Sequence, residues 1–403
     1  MEFIFRSLEM GLPGLVLRAI LLLLLSISLL IAFIVARRWY RGRYFRRLNQ
    51  RMLFFRSAWD NLVSGQIPPK TWRLNHFDSK IVETILLDNM EVAIPEELPG
   101  LLRCLRESGL LDMRIYQARH LRGWKRRDVL IVLGRTRAPE VIPALSEALD
   151  DPALQTRIAA VRGLGRIGLA DAAVPLLERF LSGELEVPEH TLKNALVHCC
   201  RDSPGLLIQY LHHAGGHKRE LLARVLGEVA NSGLAEELLT LATDPLAEVR
   251  ASAARALGNV QDPLALWALA KLLEDQEWFV RLRAVVALTS LKQSGRTRLL
   301  LRGLCDSNRS VRQRAAWALA RIEPDLGALL EQVVATQDRY ALQAFISELE
   351  RSGAMQDVIH SLEVESAHGV AQSILMQALV AGREGVESAR TTKAATAAAG
   401  AGR

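Results

Sequence analysis

The sequence predicts an all-α protein, a solenoid of stacked helix pairs preceded by one transmembrane helix. Three observations lead to this prediction: an uncharged apolar run near the N-terminus, a segment that recurs every 31 residues, and a composition suited to helices. Of the 403 residues, 50% are apolar and only 5% are aromatic. A repeat array reaches this length without one central core, because each repeat packs only against its neighbours.

The apolar run occupies residues 19–36 and contains no charged residue. Extended back to Leu15, the run would form a helix about 33 Å long, which matches the hydrocarbon core of a bilayer. We therefore predict a transmembrane helix at 15–36, after a short extracytoplasmic N-terminus at 1–14. The alternative is a cleaved signal peptide, whose apolar region would be shorter and would precede a small-x-small cleavage site.

Residues 37–56 form a basic segment with eight arginines and no acidic residue. Removing these eight charges from the formal net charge of +7 leaves −1, so the basicity belongs to this segment and not to the repeats. Because positively charged flanks stay in the cytoplasm, the repeats are predicted on the cytoplasmic side of the bacterial inner membrane. The predicted membrane-interface residues are Arg37, Arg38, Trp39, Tyr40, Arg41, Arg43, Tyr44, Arg46 and Arg47. Recognition of anionic lipid is a second function open to this segment.

Self-comparison of the sequence reveals the repeat. Windows that start at Asp244, Asp275 and Asp306 align without gaps, and earlier windows start at Asp151 and His120. The window near 182 fits poorly, and the register blurs after 337. The repeated acidic and basic positions predict a structural ladder between neighbouring repeats. This ladder comprises Asp151, Arg157, Asp244, Arg250, Asp275, Arg281, Asp306 and Arg312.

The shared pattern D-x4-V-R-x2-A-x2-A-L resembles the short HEAT repeats that also occur in bilin-lyase-like proteins. This resemblance implies a HEAT-like solenoid over residues 120–382, but it says little about function, because proteins of this class serve many functions. A helical cap is predicted at 57–119, and a disordered low-complexity tail at 383–403. Similar membrane-anchored HEAT proteins suggest a link to envelope or polysaccharide synthesis.

Local residue chemistry supports helix pairs independently. Val249, Ala253, Ala256 and Leu257 follow the spacing of one buried helical face. An aspartate followed by proline, at Asp151, Asp244 and Asp262, predicts a capped helix start. Glycines recur near the end of the same helix in four repeats and predict left-handed C-terminal caps. These glycines are Gly134, Gly165, Gly227 and Gly258.

No catalytic, cofactor or metal site is expected from the sequence. His213 and His217 have a spacing suited to metal ligands on a helix, but Gly215 and Gly216 between them predict a loop and a candidate hinge. The HEAT-like deoxyhypusine hydroxylases bind iron through His-Glu dipeptides, and this chain contains none. Nucleic acid and small-molecule substrates are likewise not expected.

The remaining functional candidates are aromatic residues at repeat positions that other repeats fill with small or polar residues. Trp278, Phe279 and Trp317 are predicted to contact a protein partner, although packing inside the array is an alternative. The sequence therefore favours a membrane-anchored scaffold that is not an enzyme. A lyase or hydroxylase of the HEAT-like class and an anionic-lipid sensor are the alternatives.

Overall fold

The structure is a computed structural model, and it describes residues 12–57, 76–94, 96–323, 325–356 and 358. All regular secondary structure in these ranges is helical, which confirms the predicted all-α fold class. The predicted tail at 383–403 and the end of the predicted solenoid after 358 lie outside the described residues. The chain divides into two compact units, Met1–Leu121 with Arg135–Ala138, and Arg122–Gly134 with Pro139–Arg403.

The described residues of the first unit include one very long helix and three shorter ones. They are α1 (Leu12–Ser57), α2 (His76–Val92), α3 (Leu98–Glu107) and α4 (Leu110–His120). The part of α1 from Arg18 to Ser57 is long and apolar enough to cross a membrane. Its most apolar 18-residue window has a mean hydropathy of 3.1 and is 0% buried.

Two buried carboxylates of α2 hold the first unit together. Asp78 accepts hydrogen bonds from Arg51 of α1 at 2.9 and 2.5 Å. Glu83 accepts hydrogen bonds from Arg114 of α4 at 2.6 and 2.5 Å. A buried carboxylate is costly unless its charge is paired and hydrogen-bonded, so each arginine has a structural role.

The second unit consists of alternating helices. They are α5 (Gly123–Arg135, whose last residue belongs to the first unit), α6 (Ile142–Glu147), α7 (Leu154–Ile167), α8 (Ala170–Ser182), α9 (Glu189–Cys199), α10 (Gly205–His213), α11 (Gly216–Val229), α12 (Ala235–Leu241), α13 (Ala247–Leu257), α14 (Pro263–Leu272), α15 (Trp278–Ser290), α16 (Arg296–Leu304), α17 (Arg309–Ile322), α18 (Leu326–Ala335) and α19 (Arg339–Ser352). Each consecutive pair of odd-numbered helices from α7 to α19 is in contact, and the even-numbered helices contact these odd-numbered ones. This stacking of helix pairs buries leucines and alanines, and the predicted face of α13 is confirmed as buried.

The prediction that four repeated glycines form left-handed caps is wrong. Gly134, Gly165 and Gly227 lie within helices, and Gly258 follows α13 with a right-handed φ of −64°. A Cβ at Gly134 would lie 2.5 Å from the Cα of Gly163, and one at Gly165 would lie 2.7 Å from the Cα of Ala195. These glycines let the odd-numbered helices approach each other closely.

The predicted helix starts after aspartate–proline pairs are only partly correct. Asp262 caps α14 and accepts a hydrogen bond from the Leu264 N–H at 2.8 Å. Asp151 and Asp244 lie further from their helices, and each accepts from the N–H two residues later at 2.9 Å. Their carboxylates stabilise a turn before the helix, which leaves the second oxygen open to a neighbouring repeat.

Candidate functional site

A ladder of aspartates and arginines runs along the second unit. The Arg250 guanidinium donates to both carboxylate oxygens of Asp275, at 2.6 and 2.9 Å. It also donates at 2.9 Å to the main-chain carbonyl of Asp244 in its own repeat. Arg281 makes the same bidentate contact with Asp306, at 2.6 and 2.9 Å. Each of these arginines therefore joins the turn of one repeat to the turn of the next.

Hydrogen bonding favours the charged forms of both groups in the Arg250–Asp275 pair. Burial alone would raise the pKa of Asp275, but hydrogen bonds from Arg250 and from the Glu277 N–H hold that pKa below its ordinary value. The hydrogen bond to Asp275 in turn raises the pKa of Arg250. Both groups stay charged at neutral pH, as a bidentate ion pair requires.

The ladder continues on both sides of these rungs but lacks two successive rungs, where Ser182 and His213 occupy the aspartate position. Arg219 donates to Asp244 at 2.8 Å, and Arg126 donates to Asp151 at 2.5 Å. Arg157 has Ser182 at the expected aspartate position and instead contacts Glu186.

The ladder ends at Arg312. Its guanidinium donates to the main-chain carbonyls of Asp306 and Ser307 at 2.8 and 2.9 Å, as in the earlier repeats. Gln337 stands where the next aspartate would be, and none of the carboxylates in the described part of the chain forms an ion pair with Arg312. The guanidinium lies over the ring of Tyr340 instead, 5.2 Å from its centroid. The last rung therefore presents an unneutralised cation beside an aromatic ring.

A groove with a volume of about 810 Å³ lies beside this last rung. Side chains of α15, α17 and α19 line it, and we call it the Trp317 groove. Its charged lining residues are four arginines and one glutamate: Arg309, Arg312, Arg314, Arg351 and Glu348. Glu348 is buried and accepts hydrogen bonds from Arg351 at 2.8 and 2.6 Å. The groove therefore has an excess of positive charge.

Two guanidinium groups lie over the ring of Trp317. The Arg314 Cζ lies 4.0 Å from the indole centroid, and the Arg321 Cζ lies 4.5 Å from it. The Nε of Arg314 is buried and has no hydrogen-bond partner among the described residues. Stacked tryptophan and arginine offer large contact area with little loss of side-chain entropy on binding, which is typical of interface hot spots.

The other two aromatic candidates lie together, but outside the lining of the groove. Trp278 and Phe279 begin α15 and contact each other edge to face, with ring centroids 6.2 Å apart. Trp278 is 44% exposed and Phe279 is half-buried. Leu282, about one turn further along α15, does line the Trp317 groove.

Tyr340 and Trp267 are among the exposed aromatic residues that sequence reasoning missed. Tyr340 is 63% exposed and lines the Trp317 groove, but it follows the point at which the repeat register blurs. Trp267 is 54% exposed on α14, with the Lys271 ammonium 3.8 Å from its ring centroid. The sequence did not indicate this exposure, because a tryptophan within the apolar run of α14 is expected to be buried in the core.

The predicted membrane-interface residues are all exposed along α1. They are Arg37, Arg38, Trp39, Tyr40, Arg41, Arg43, Tyr44, Arg46 and Arg47. The Arg43 guanidinium lies 5.3 Å from the ring centroid of Trp39. The helix therefore presents arginines and aromatic rings together, directly after its apolar part.

The two histidines whose spacing suited metal ligands lie on different helices. His213 ends α10 and His217 lies in α11, with Ala214 and Gly215 between the two helices. In the described part of the chain, no group of three or more His, Cys, Asp or Glu side chains could hold a metal ion. Burial raises the pKa of both Cys199 and Cys200 to about 12, so neither thiol is reactive at neutral pH.

The chain belongs to the HEAT repeat family, whose model matches residues 111–196, 204–289 and 268–350. The matches begin within α4, earlier than the repeat start predicted from the sequence. No curated protein sequence matches the chain.

Three solved structures are similar to the chain at low identity. An engineered protein is 16% identical, with 80% of this chain and 99% of that chain covered and a TM-score of 0.33. Human deoxyhypusine hydroxylase in complex with glycerol is 18% identical, with 74% and 96% covered and a TM-score of 0.24. The Pds5–Scc1 complex, described with implications for cohesin function, is 11% identical, with 74% and 64% covered and a TM-score of 0.33.

Proposed function

We propose that this protein is a membrane-anchored scaffold or adaptor that binds a protein partner through the Trp317 groove. The role is not enzymatic. The observation that carries the proposal is Trp317, stacked between Arg314 and Arg321 in a groove that also contains the exposed ring of Tyr340. Membership of the HEAT repeat family supports it, because stacked helix repeats commonly form extended protein-binding surfaces.

The charge of the groove favours an acidic partner segment. The unneutralised Arg312 and the arginines beside it would pair with aspartate or glutamate, while Trp317 and Tyr340 would contact apolar side chains. Arginine binds carboxylates bidentately, and its planar group also stacks on aromatic rings. The partner we propose is a component of a membrane enzyme complex, with envelope or polysaccharide synthesis as the candidate process.

The location we propose is the inner membrane of a bacterium, with residues 15–36 spanning the bilayer and the repeats in the cytoplasm. Support comes from the length and hydropathy of α1 and from the exposed arginines that follow its apolar part. Arginine-rich flanks remain on the cytoplasmic side during insertion, and tryptophan and tyrosine favour the headgroup region.

Affinity capture from cross-linked membranes tests the partner proposal. The informative variant is Trp317→Ala, and the matched control is Trp267→Ala, which removes an exposed tryptophan with a cation partner on α14. We expect the first variant to lose at least about tenfold of a partner that wild type and control both recover, as expected for a hot-spot residue. Equal recovery by both variants, or no specific protein with wild type, would contradict the proposal.

A further inference from the structure

A second groove, with a volume of about 480 Å³, lies between α5, α7 and α9. We call it the Arg162 groove. Five basic or titratable side chains line it: Arg127, Arg162, Arg166, His190 and His198. No aspartate or glutamate is among its lining residues.

The spacing of these residues follows the helices. Arg162 and Arg166 are four residues apart and exposed on the same face of α7. His190, Asn194 and His198 follow the same spacing along α9 and are also exposed. The two rows therefore face one shared space from neighbouring helices.

The groove also has an apolar part, which comes from the close approach of the helices. Gly163 and Gly165 line it; a Cβ at Gly163 would lie 3.0 Å from the Leu145 side chain of α6, and one at Gly165 would lie 2.7 Å from the Ala195 Cα of α9. Ile131 and Ile158 add apolar surface beside them. The volume lies in the range of about 300–1,000 Å³ typical of small-molecule pockets.

Arg162 differs from the cations at the equivalent position of later repeats, each of which forms an ion pair. Lys193 and Arg255 occupy the same repeat position and pair with Glu228 at 2.6 and 3.2 Å. Arg224, also at this position, pairs with Glu189 at 2.7 Å.

Arg162 and Arg166 lack such a partner. Among the described residues, neither arginine makes an ion pair or a hydrogen bond. Arg127 pairs only with its neighbour Asp128, and that pair is exposed. Glutamates neutralise Lys193, Arg224 and Arg255 at the repeat position of Arg162, so a ligand could supply the negative charge that Arg162 lacks.

We propose that the Arg162 groove binds a soluble organic phosphate, a phosphate ester whose organic part is a small flat ring system. Arg162 and Arg166 would bind the phosphate oxygens, because guanidinium groups match phosphate geometry bidentately. The glycine and isoleucine surface would contact the ring. A lipid headgroup fits less well, because its apolar part stays in the bilayer while this groove places apolar and basic surfaces together. The proposal is independent of partner binding at the Trp317 groove.

Titration calorimetry on the full-length protein in neutral-lipid nanodiscs tests this proposal. The probes are phenyl phosphate and adenosine monophosphate. Adenosine, which lacks the phosphate, and inorganic phosphate, which lacks the ring, are the controls. We expect both esters to bind more tightly than either half. The double variant Arg162→Gln, Arg166→Gln should weaken ester binding roughly 100-fold, about tenfold for each charge-assisted contact. Arg255→Gln, at the same repeat position but paired with Glu228, should change binding less than about twofold.

Several outcomes would overturn the proposal. No binding of either ester at millimolar concentration would do so, as would unchanged affinity in the double variant with an unchanged melting temperature. Equal affinity for inorganic phosphate and the esters would remove the role of the apolar surface. Binding of wild type to phosphatidic acid vesicles that the double variant loses, without binding to either ester, would assign the groove to a lipid headgroup instead.

Discussion

At the scale of single residues, the repeated arginine explains why this sequence keeps an aspartate and an arginine at a fixed spacing. Arg281 holds a turn of its own repeat through the Asp275 carbonyl and reaches the next repeat through the Asp306 carboxylate. Because one side chain satisfies both contacts, loss of either partner affects two repeats. Where the aspartate of the next repeat is missing, as it is for Arg312, the guanidinium forms no ion pair among the described residues and is available to bind a partner.

Replacement of Asp275 by asparagine tests the structural role of the ladder. The variant would leave Arg250 half-buried without its bidentate partner, and we expect unfolding to become easier by about 3 kcal/mol. Asp262→Asn is the matched control, because asparagine caps a helix as well as aspartate does and α14 should keep its cap. Chemical denaturation of the three proteins measures the difference. A cost at Asp275 no larger than at Asp262 would refute the assigned role.

The same aspartate predicts how stability changes in acid. Because the folded state lowers the pKa of Asp275, its contribution is fully present above the ordinary value of 3.8 and is lost as pH falls through the lower folded-state value. The free energy of unfolding of wild type should therefore fall more steeply in this acidic range than that of Asp275→Asn. Denaturation midpoints measured from neutral pH down to pH about 3 check this. Parallel curves would mean that the ion pair does not form.

At the scale of helices, the sequence predicted the pairing and the ladder positions but not the role of the glycines. A glycine near the end of a repeated helix has the same sequence signature whether it adopts a left-handed cap or allows a neighbouring helix to approach. Backbone φ decides between these, and it depends on contacts across repeats. Gly168, three residues after Gly165, is the residue with a positive φ, 72°, at the end of α7.

The Trp317 groove shows a similar limit. Trp317 stood out in the sequence because its repeat position is usually small or polar, and the structure places it between two arginines. Tyr340 and Arg351 were not predicted, because they follow the point at which the 31-residue register fails. The Arg162 groove was also not predicted. Its distinguishing feature is that its lining contains no carboxylate, and this becomes visible only when the packing of neighbouring helices is known.

Substitution of Gly165 tests the close approach of α7 and α9. Alanine gains helix propensity at this position, but its Cβ would lie 2.7 Å from the Ala195 Cα, so the helices must separate. We expect a net loss of about 2 kcal/mol of stability. Gly205→Ala is the control, because its Cβ would meet only the Leu234 Cδ2 at 4.0 Å. Thermal unfolding of both variants measures the effect, and a stabilised Gly165→Ala protein would show that the helices are not tightly packed.

At the scale of the whole molecule, the chain combines an apolar helix, a basic aromatic segment and a stack of HEAT repeats. Its cysteines offer a direct way to locate the repeats. Cys104, Cys199 and Cys200 are buried, and Cys305 is exposed at the end of α16. A maleimide should therefore modify Cys305 in the folded protein and leave the other three thiols unmodified.

Labelling of spheroplasts with a membrane-impermeant maleimide tests most directly whether the protein is anchored in the membrane with its repeats in the cytoplasm. We predict that the protein stays in the membrane fraction after alkaline carbonate washing. Cys305 should be unlabelled in intact spheroplasts and labelled once the membrane is permeabilised, and Cys305→Ser should abolish the signal. Labelling in intact spheroplasts, or release of the protein by carbonate, would contradict the proposed anchor and orientation.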